Sequence, residues 1–314
     1  MKRPGLTACC VLVAAFWVVV DAMPQQQGQG SPQGAPNAQP PGQPGGQRGR
    51  GGRGGGRPRT RKVVLAWADT RNGIAQHDST SHALAVIERL GYESGAYDTY
   101  IRTDSNIISK QPLMTTGSPA SGGPSLANVD AIFFLGHREV PLEPSQRAEL
   151  ASFVKDDGKG FVAAHIGLTA FESWPDFGEL LGGRYDDHPW GTTAGTIINE
   201  DPSFPATKHF PASFPFTDEF YQPKEFLRTN SRVLLRLDMS KMPQAPNLRR
   251  PDDFPIAWAK MYGKGRVFYS SFGHAPEVWD NRDVALMYFE ALRWALGLTD
   301  ADVTPRPFPA PSTK

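Results

Sequence analysis

The segment Lys159-Gly160-Phe161-Val162-Ala163-Ala164-His165-Ile166-Gly167 runs from an apolar stretch directly into a histidine between small residues. It predicts a buried strand, a sharp turn and a helix-like segment, the geometry that lifts one side chain above the carboxyl edge of a parallel sheet. An imidazole at that place suits general acid–base work or metal ligation. The alternative is that His165 only ends a buried strand. We favour a functional His165, because open α/β sheets bind ligands at such strand ends.

Strands and helices alternate around this segment. Apolar runs predict strands over residues 63–68, 92–97, 131–135 and 161–164. Apolar residues at helical spacing predict a helix that begins near Ser79 and ends at Gly91, and Pro144 opens another helix. This alternation predicts an α/β fold, with a parallel sheet covered by helices on both faces.

The second half of the chain is less regular. Residues 193–199, 232–237, 255–261 and 266–271 predict strands, and residues 262–265 predict the hairpin turn between the last two. An apolar helix over residues 284–296 is expected to pack on the sheet. The folded part that follows the linker has about 250 residues, enough for one large domain or two small ones. We predict that the Pro-rich tail, residues 299–314, is loosely held.

Residues 1–22 are typical of an export signal, because two basic residues precede an apolar core and small residues follow it. We therefore expect an exported protein, periplasmic or extracellular. Cys9 and Cys10, the two cysteines of the chain, lie inside this segment. A mature chain without cysteine has no disulfide, no zinc–thiolate site and no cysteine nucleophile.

Residues 23–61 form a low-complexity linker rich in Gln, Pro, Gly and Arg, which we predict to be a disordered tether. Residues 1–62 contain nine Lys or Arg and one Asp, a net charge of +8, whereas residues 63–314 contain 24 basic and 31 acidic residues, a net charge of −7. The basic linker is expected to contact anionic envelope surfaces. The acidic domain argues against nucleic acid as its partner.

Two polar clusters in the first part of the domain contain histidine. One runs from His77 to His82, where Asp78 and His82 lie about one helical turn apart and could pair; the alternative is a helix N-cap with incidental histidines. The other is Asp186-Asp187-His188-Pro189-Trp190. Its two carboxylates could act on His188 electrostatically or join it as oxygen ligands, and a solvated loop is the alternative.

Two further clusters lie towards the carboxyl end. Asp218, Glu219 and Tyr221 interleave acids with aromatic rings, as a sugar site requires, although an ordinary partly buried loop has the same composition. In the second cluster a strand again ends in Gly273-His274. Two histidines at equivalent strand ends favour a shared site, with Glu219 and His188 brought in by loops.

These motifs resemble those of the ThuA-like family, named for a trehalose-utilisation protein. The resemblance covers residues 62–298 and implies one ThuA-like domain there. The resemblance rests on the following matches: Gly158-Lys159-Gly160-Phe161-Val162 with His165, His188-Pro189, Asp201-Pro202, Asp218-Glu219-Phe220-Tyr221, Pro255-Ile256-Ala257-Trp258, Tyr262-Gly263-Lys264-Gly265, Gly273-His274 and Arg293-Trp294-Ala295. It implies a class I glutamine amidotransferase-like, flavodoxin-like fold with histidine where amidotransferases have cysteine. It also implies a link to disaccharide or oxidised-sugar metabolism. Glutaminase activity is not expected, because the mature chain has no cysteine.

Two hypotheses about function remain open. The first is an exported enzyme that hydrolyses or isomerises a disaccharide or an oxidised keto-sugar, assisted by a divalent metal such as zinc. The catalytic or metal-ligating residues would be His165, His188, Glu219 and His274, and the substrate-binding residues Asp218, Tyr221, Trp190, His77 and His82. The second is a non-catalytic carbohydrate-binding or scaffold protein, in which Trp190, Tyr221 and Trp279 stack on a sugar. The first requires His165 and His274 to face one hollow together with Glu219.

Overall fold

The structure, a computed structural model, describes residues 61–308. The predicted signal, nearly all of the predicted linker and the last six residues lie outside the described residues. The strands are β1 Lys62–Trp67, β2 Tyr97–Arg102, β3 Ala131–Phe134, β4 Gly160–Ala164, β5 Arg184–Asp187, β6 Thr192–Asn199, β7 Ser213–Glu219, β8 Gln222–Lys224, β9 Arg232–Leu237, β10 Phe254–Tyr262 and β11 Gly265–Ser270. The helices are α1 Ser79–Ser94, α2 Pro144–Lys155, α3 Pro175–Leu181, α4 Pro276–Asp280 and α5 Arg282–Ala295.

Nine of these strands form one mixed sheet in the order β2-β1-β3-β4-β11-β10-β9-β6-β7. The first five run parallel, and β10, β9, β6 and β7 extend the sheet in antiparallel fashion. Strands β5 and β8 form a separate antiparallel pair. The predicted α/β fold class is confirmed. Because β4 and β11 are parallel neighbours, with Ala164 opposite Ser270, the residues that follow them emerge at the same edge.

Apolar layers cover both faces of the sheet. One layer contains the buried residues of α1, α4 and α5, and the other contains those of α2 and α3. The central strands β3 and β4 are buried along their whole length, as expected for parallel strands covered on both sides. Each large apolar side chain buried in this way stabilises the fold by about 1.5–3 kcal/mol relative to exposure. None of the helices within residues 61–308 combines the length and apolar character that crossing a bilayer requires.

The predicted strand over residues 92–97 is wrong, because α1 continues through Gly91 to Ser94 and β2 begins only at Tyr97. Gly91 marks close packing and not the end of a helix: a Cβ there would lie 2.3 Å from the Tyr97 ring. The helix ends instead at Gly95, whose φ of +67° is the left-handed conformation that glycine adopts readily.

The strand β7 was not predicted, and the segment that carries Glu219 was expected to be a loop. Pro215 obscures the strand pattern, since proline cannot donate a hydrogen bond within a sheet. Here β7 is the last strand of the sheet, so one side of its backbone needs no partner strand. Glu219 is therefore placed by the end of a strand. The other predicted strands and the hairpin turn are confirmed to within two residues at each end.

Residues 299–308 have no regular secondary structure, but two arginines bind their backbone. Arg266 Nη1 donates to the Thr299 carbonyl at 2.8 Å, and Arg232 Nη1 donates to the Thr304 carbonyl at 2.8 Å. Arg232 is buried and also pairs with Asp201, at 2.7 Å. This part of the tail is therefore held on the domain, contrary to the expectation of a loose tail.

Candidate functional site

His165 lies at a sharp turn directly after β4. Ala164 is extended, and His165 has a φ of +38° and opens a 3₁₀ turn over His165–Thr169. A non-glycine residue with positive φ is strained and persists only where its surroundings hold it. Small neighbours make the turn possible, because a Cβ on Gly167 would already lie 3.1 Å from the Phe134 carbonyl oxygen. The predicted strand–turn–helix geometry is present.

The tautomer of His165 follows from its hydrogen bond. Its Nδ1 lies 2.7 Å from the Ser271 carbonyl oxygen, which can only accept, so Nδ1 carries the hydrogen. Burial lowers the pKa of the ring, and the neighbouring Glu219 and Asp218 carboxylates oppose this only in part. The ring is therefore neutral, and Nε2 presents a lone pair. Within residues 61–308, this fully buried Nε2 has no hydrogen-bond partner.

Four imidazoles surround the carboxylate of Glu219. Its Oε2 lies 3.2 Å from His274 Nδ1, 3.5 Å from His165 Nε2 and 4.0 Å from His77 Nε2. Its Oε1 lies 3.7 Å from Nε2 of His188, which is exposed. The ring centroids of His165 and His274 are 5.4 Å apart. The two imidazoles therefore face one hollow together with the acid.

The charge state of this cluster favours a cation. Burial alone would raise the pKa of Glu219, but histidine nitrogens, those of His274 and His77 among them, outweigh it and hold this pKa well below its usual value. The Glu219 carboxylate raises the pKa of His274 against the effect of burial. An ionised carboxylate thus faces the His165 lone pair at 3.5 Å with no hydrogen between them. Two electron-pair donors at that distance repel unless a cation lies between them.

The residues fit a metal ion. One ligand atom from each of His77, His165, Glu219 and His274 can be chosen so that all four lie within 4.8 Å of one another. Imidazole nitrogens with one carboxylate oxygen are a donor set that zinc accepts, and catalytic zinc commonly uses three protein ligands and an open position. This His/Glu cluster could therefore hold a metal.

Asp218 holds the second histidine in place without facing the cluster. It is buried, and its carboxylate accepts hydrogen bonds from the backbone N–H groups of Gly273 at 2.8 Å, Glu219 at 2.9 Å and His274 at 3.2 Å. Burial raises the pKa of Asp218, which the hydrogen bonds only partly counteract. Asp218 thereby joins the end of β7 to the turn after β11.

Tyrosine rings form a wall beside the cluster. Tyr221 stacks on His165 with 4.3 Å between ring centroids, and its hydroxyl lies 3.5 Å from His77 Nε2. Tyr185 packs edge-on against Tyr221 at 4.9 Å, and its hydroxyl is hydrogen-bonded to His188 Nδ1. Sequence reasoning missed Tyr185, because nothing in the local pattern of β5 shows that its side chain reaches His188.

His137 was also missed. It follows β3, its Nδ1 donates to the Ala75 carbonyl at 3.0 Å, and its ring centroid lies 5.7 Å from that of His77. A signal existed in the sequence, because Gly136-His137 repeats the pattern of a small residue and a histidine after an apolar strand, as at His165 and His274. Three neighbouring parallel strands thus each end near a histidine.

Three other predicted site residues, His82, Trp190 and Trp279, make their contacts outside the Glu219 cluster. His82 binds Asp280 at 2.8 Å instead of pairing with Asp78, because its side chain reaches α4 from α1. Trp190 donates to the Pro243 carbonyl and packs on Phe254. The fully buried Trp279 donates to the Gly273 carbonyl, so its ring cannot stack on a ligand.

The two acids that precede His188, Asp186 and Asp187, form hydrogen bonds outside the cluster. Asp186 accepts two hydrogen bonds from Arg249 at 2.6 Å and one from Gln222 at 2.8 Å. Asp187 accepts the backbone N–H of His188 at 2.8 Å. Neither carboxylate therefore belongs to the group of ligand atoms around Glu219.

The fold and the cluster define an α/β protein with a candidate metal site at the carboxyl edge of its parallel strands. Residues 63–295 match the family model described as "ThuA: Trehalose utilisation", and the chain belongs to that family. A comparison with curated proteins gives no match.

Two solved structures share the fold. A protein described as ThuA-like from Bacteroides uniformis is 23% identical, with a TM-score of 0.60 over 75% of this chain and 91% of its own. A second, from Parabacteroides merdae, is 16% identical, with a TM-score of 0.57 over 81% of this chain and 96% of its own. At these identities the likeness shows the fold alone.

Proposed function

We propose that this protein is a metal-assisted enzyme that acts on a sugar, either a disaccharide or an oxidised keto-sugar, by hydrolysis or isomerisation. The single observation that carries the proposal is the Nε2 lone pair of His165, buried, without a partner and facing an ionised Glu219. His77, His165, His274 and Glu219 would hold a divalent cation such as zinc. When bound, zinc polarises a substrate oxygen and lowers the pKa of bound water.

His188 is the group that the geometry favours for moving protons. Its Nε2 lies 3.7 Å from Glu219 Oε1, and its ring is 44% exposed, so a ligand that enters from solvent can reach it. The Tyr185 hydroxyl is hydrogen-bonded to Nδ1 and fixes the orientation of the ring. Burial and nearby acids raise the pKa of Tyr185 to about 12, so this hydroxyl keeps its proton and can donate it to Nδ1. With Nδ1 as the acceptor of this hydrogen bond, the ring N–H lies on Nε2 and faces the cluster.

Two observations support a sugar as the substrate. The half-buried Tyr185 offers an aromatic ring beside His188, which lies 3.7 Å from the Glu219 carboxylate, and this suits a pyranose with an apolar face and a hydroxyl-rich rim. The family to which the chain belongs is described by trehalose utilisation. Export to the periplasm or the exterior is part of the proposal, supported by the signal-like residues 1–22, and the basic linker would contact an anionic envelope surface.

Metal analysis of the purified protein tests the proposal. We expect about one zinc or other divalent ion per chain. His165→Ala or His274→Ala should weaken zinc binding by more than the 10–100-fold that loss of an outer-sphere partner costs. His82→Ala is the matched control, because His82 binds Asp280 and not the cluster. It should leave the metal content unchanged.

Product detection on plain and oxidised disaccharides is the second arm. Turnover that depends on the metal and disappears in His165→Ala supports the enzyme. Zinc binding that is equally strong in wild type and His165→Ala would refute the metal site. Saturable sugar binding with neither metal nor product would instead support the non-catalytic carbohydrate-binding protein.

A further inference from the structure

A cavity of about 330 Å³ lies beside the cluster, at the carboxyl edge of the sheet. Its lining includes Leu168, Thr169 and Ala170, at the end of the turn that His165 opens, and Arg138, which follows β3. Its size is at the lower end for small-molecule pockets, which suits one sugar ring and its substituents.

Tyr185 connects the cavity to the cluster. The residue lines the cavity, and its hydroxyl is hydrogen-bonded to His188. Its ring packs against Tyr221, which in turn stacks on His165. A ligand in the cavity therefore contacts Tyr185, which lies between the cavity and the buried Tyr221.

The acids that line the cavity are already neutralised. Glu172 pairs with Arg138 at 2.5 Å, and Asp186 is held by two hydrogen bonds from Arg249. Of the five charged residues in the lining, three are basic and two are acidic. The cavity is thus locally basic within a domain whose net charge is −7.

Lys224 supplies the positive charge that is not compensated. It lines the cavity from β8 and is half-buried. Among the described residues its ammonium group has neither a hydrogen bond nor an ion pair, although its field helps to lower the pKa of Asp186, after the larger effect of Arg249. Arg184, the third basic residue of the lining, donates to the Glu172 carbonyl and pairs at 3.5 Å with the exposed Glu225, so Lys224 differs from it in having no such partner. An ammonium held in a concave, partly dehydrated place favours an anionic ligand.

We propose that this cavity binds an anionic group of the substrate, a carboxylate or phosphate ester carried by the sugar, with Lys224 as its main recognition residue. The inference rests on the proposed function in taking the ligand to be a sugar. It adds that the enzyme prefers an acidic carbohydrate to a neutral one of the same size.

Isothermal titration of the purified full-length chain with glucuronate, glucose 6-phosphate and glucose tests this inference. We expect at least one anionic sugar to bind about tenfold or more tightly than glucose, with an affinity that falls as salt increases. The tighter of the two anionic sugars identifies the carboxylate or the phosphate as the natural group. Lys224→Gln should remove this preference, so that the anionic sugars bind no more tightly than glucose does to the same variant.

Lys208→Gln is the matched control, since Lys208 is exposed and lies outside the cavity lining. Equal affinity for glucose and both anionic sugars would overturn the inference. So would failure of both anionic sugars to bind, or an unchanged preference in Lys224→Gln. Metal content measured on the same samples separates the two proposals. If the proposed metal site is wrong, the protein contains no stoichiometric metal. If this inference is wrong, the affinities for anionic and neutral sugars are equal whatever the metal content.

Discussion

Replacement of Gly273 by alanine should disturb both the stability of the domain and the geometry of the cluster. Gly273 has a φ of +134°, a conformation that L-residues rarely adopt. A Cβ there would lie 2.8 Å from the Trp279 ring and 3.3 Å from His165 Cβ. The peptide cannot shift easily, because its N–H donates to Asp218 and its carbonyl accepts from Ser79 and Trp279.

The expected loss in free energy of unfolding is the sum of a backbone cost and a packing cost. A residue forced into a sparsely populated backbone region loses about 1–3 kcal/mol. Overpacking of a filled core costs about 1–3 kcal/mol more. We expect Gly273→Ala to reduce the free energy of unfolding by about 4 kcal/mol, which lowers the Tm of a domain of this size by about 10 °C.

Gly297→Ala separates the two costs. Gly297 also has a positive φ, +72°, but a Cβ there meets nothing within 4 Å. The Gly297→Ala variant should have only the backbone cost, a loss of about 1–2 kcal/mol in free energy of unfolding. Urea and thermal unfolding of both variants measure the difference, and zinc titration should show weaker binding for Gly273→Ala alone. If Gly273→Ala is no less stable than Gly297→Ala, the close packing of Gly273 against Trp279 and His165 is refuted.

Three further predictions concern buried and partly buried charges. Asp130→Asn should reduce the free energy of unfolding by about 1 kcal/mol near pH 7, because Lys159 lies 2.8 Å from the carboxylate. Partial burial alone would raise the pKa of Asp130, but Lys159 and a backbone N–H outweigh burial and lower this pKa below 3.8. The stability that the Asp130 carboxylate contributes is therefore present above pH 3.8 and is lost as the pH falls through the folded-state pKa. Urea unfolding at pH 7 and at about pH 3 measures this loss. Arg232→Met should cost about 3–5 kcal/mol in urea unfolding, because it leaves Asp201 buried without its partner. Asp218→Asn should cost about 1–3 kcal/mol, because an amide NH₂ would face one of three backbone N–H donors, and zinc titration should also show weaker binding.

Each of these has an outcome that contradicts it. A loss for Asp130→Asn that is equally large at both pH values would show that its charge does not matter. Lys241→Met, which removes an exposed pair with Asp238, is the control for Arg232→Met and should change stability by about 0.5 kcal/mol or less. Equal losses in the two variants would mean that Asp201 is not buried as described. Normal zinc affinity in Asp218→Asn would show that this residue does not position His274.

The two misassigned regions show where local sequence patterns fail. Gly91 predicts the end of α1 because glycine commonly follows helices, yet its small size is needed for contact with Tyr97, a residue outside the helix. Strand β7 was missed because Pro215 is unfavourable in a strand, and only its place at the edge of the sheet makes it acceptable. In both cases a tertiary contact overrides a local preference.

The sequence by itself determined the alternation of strands and helices, the turn that raises His165, and the histidine after β11, because apolar periodicity and small residues at turns are local properties. Only the tertiary structure decided that His77 and Glu219 meet those two histidines and that His82 and Trp279 do not. It also decided that Tyr185 binds His188 and that, among the described residues, the Lys224 ammonium makes no ion pair. The physical reason is that strand order brings these segments together. β4 and β11 are neighbours although residues 165–264 separate them in the chain, and β7 reaches the turn after β11 through the hydrogen bonds of Asp218. No local pattern in the sequence specifies such pairings.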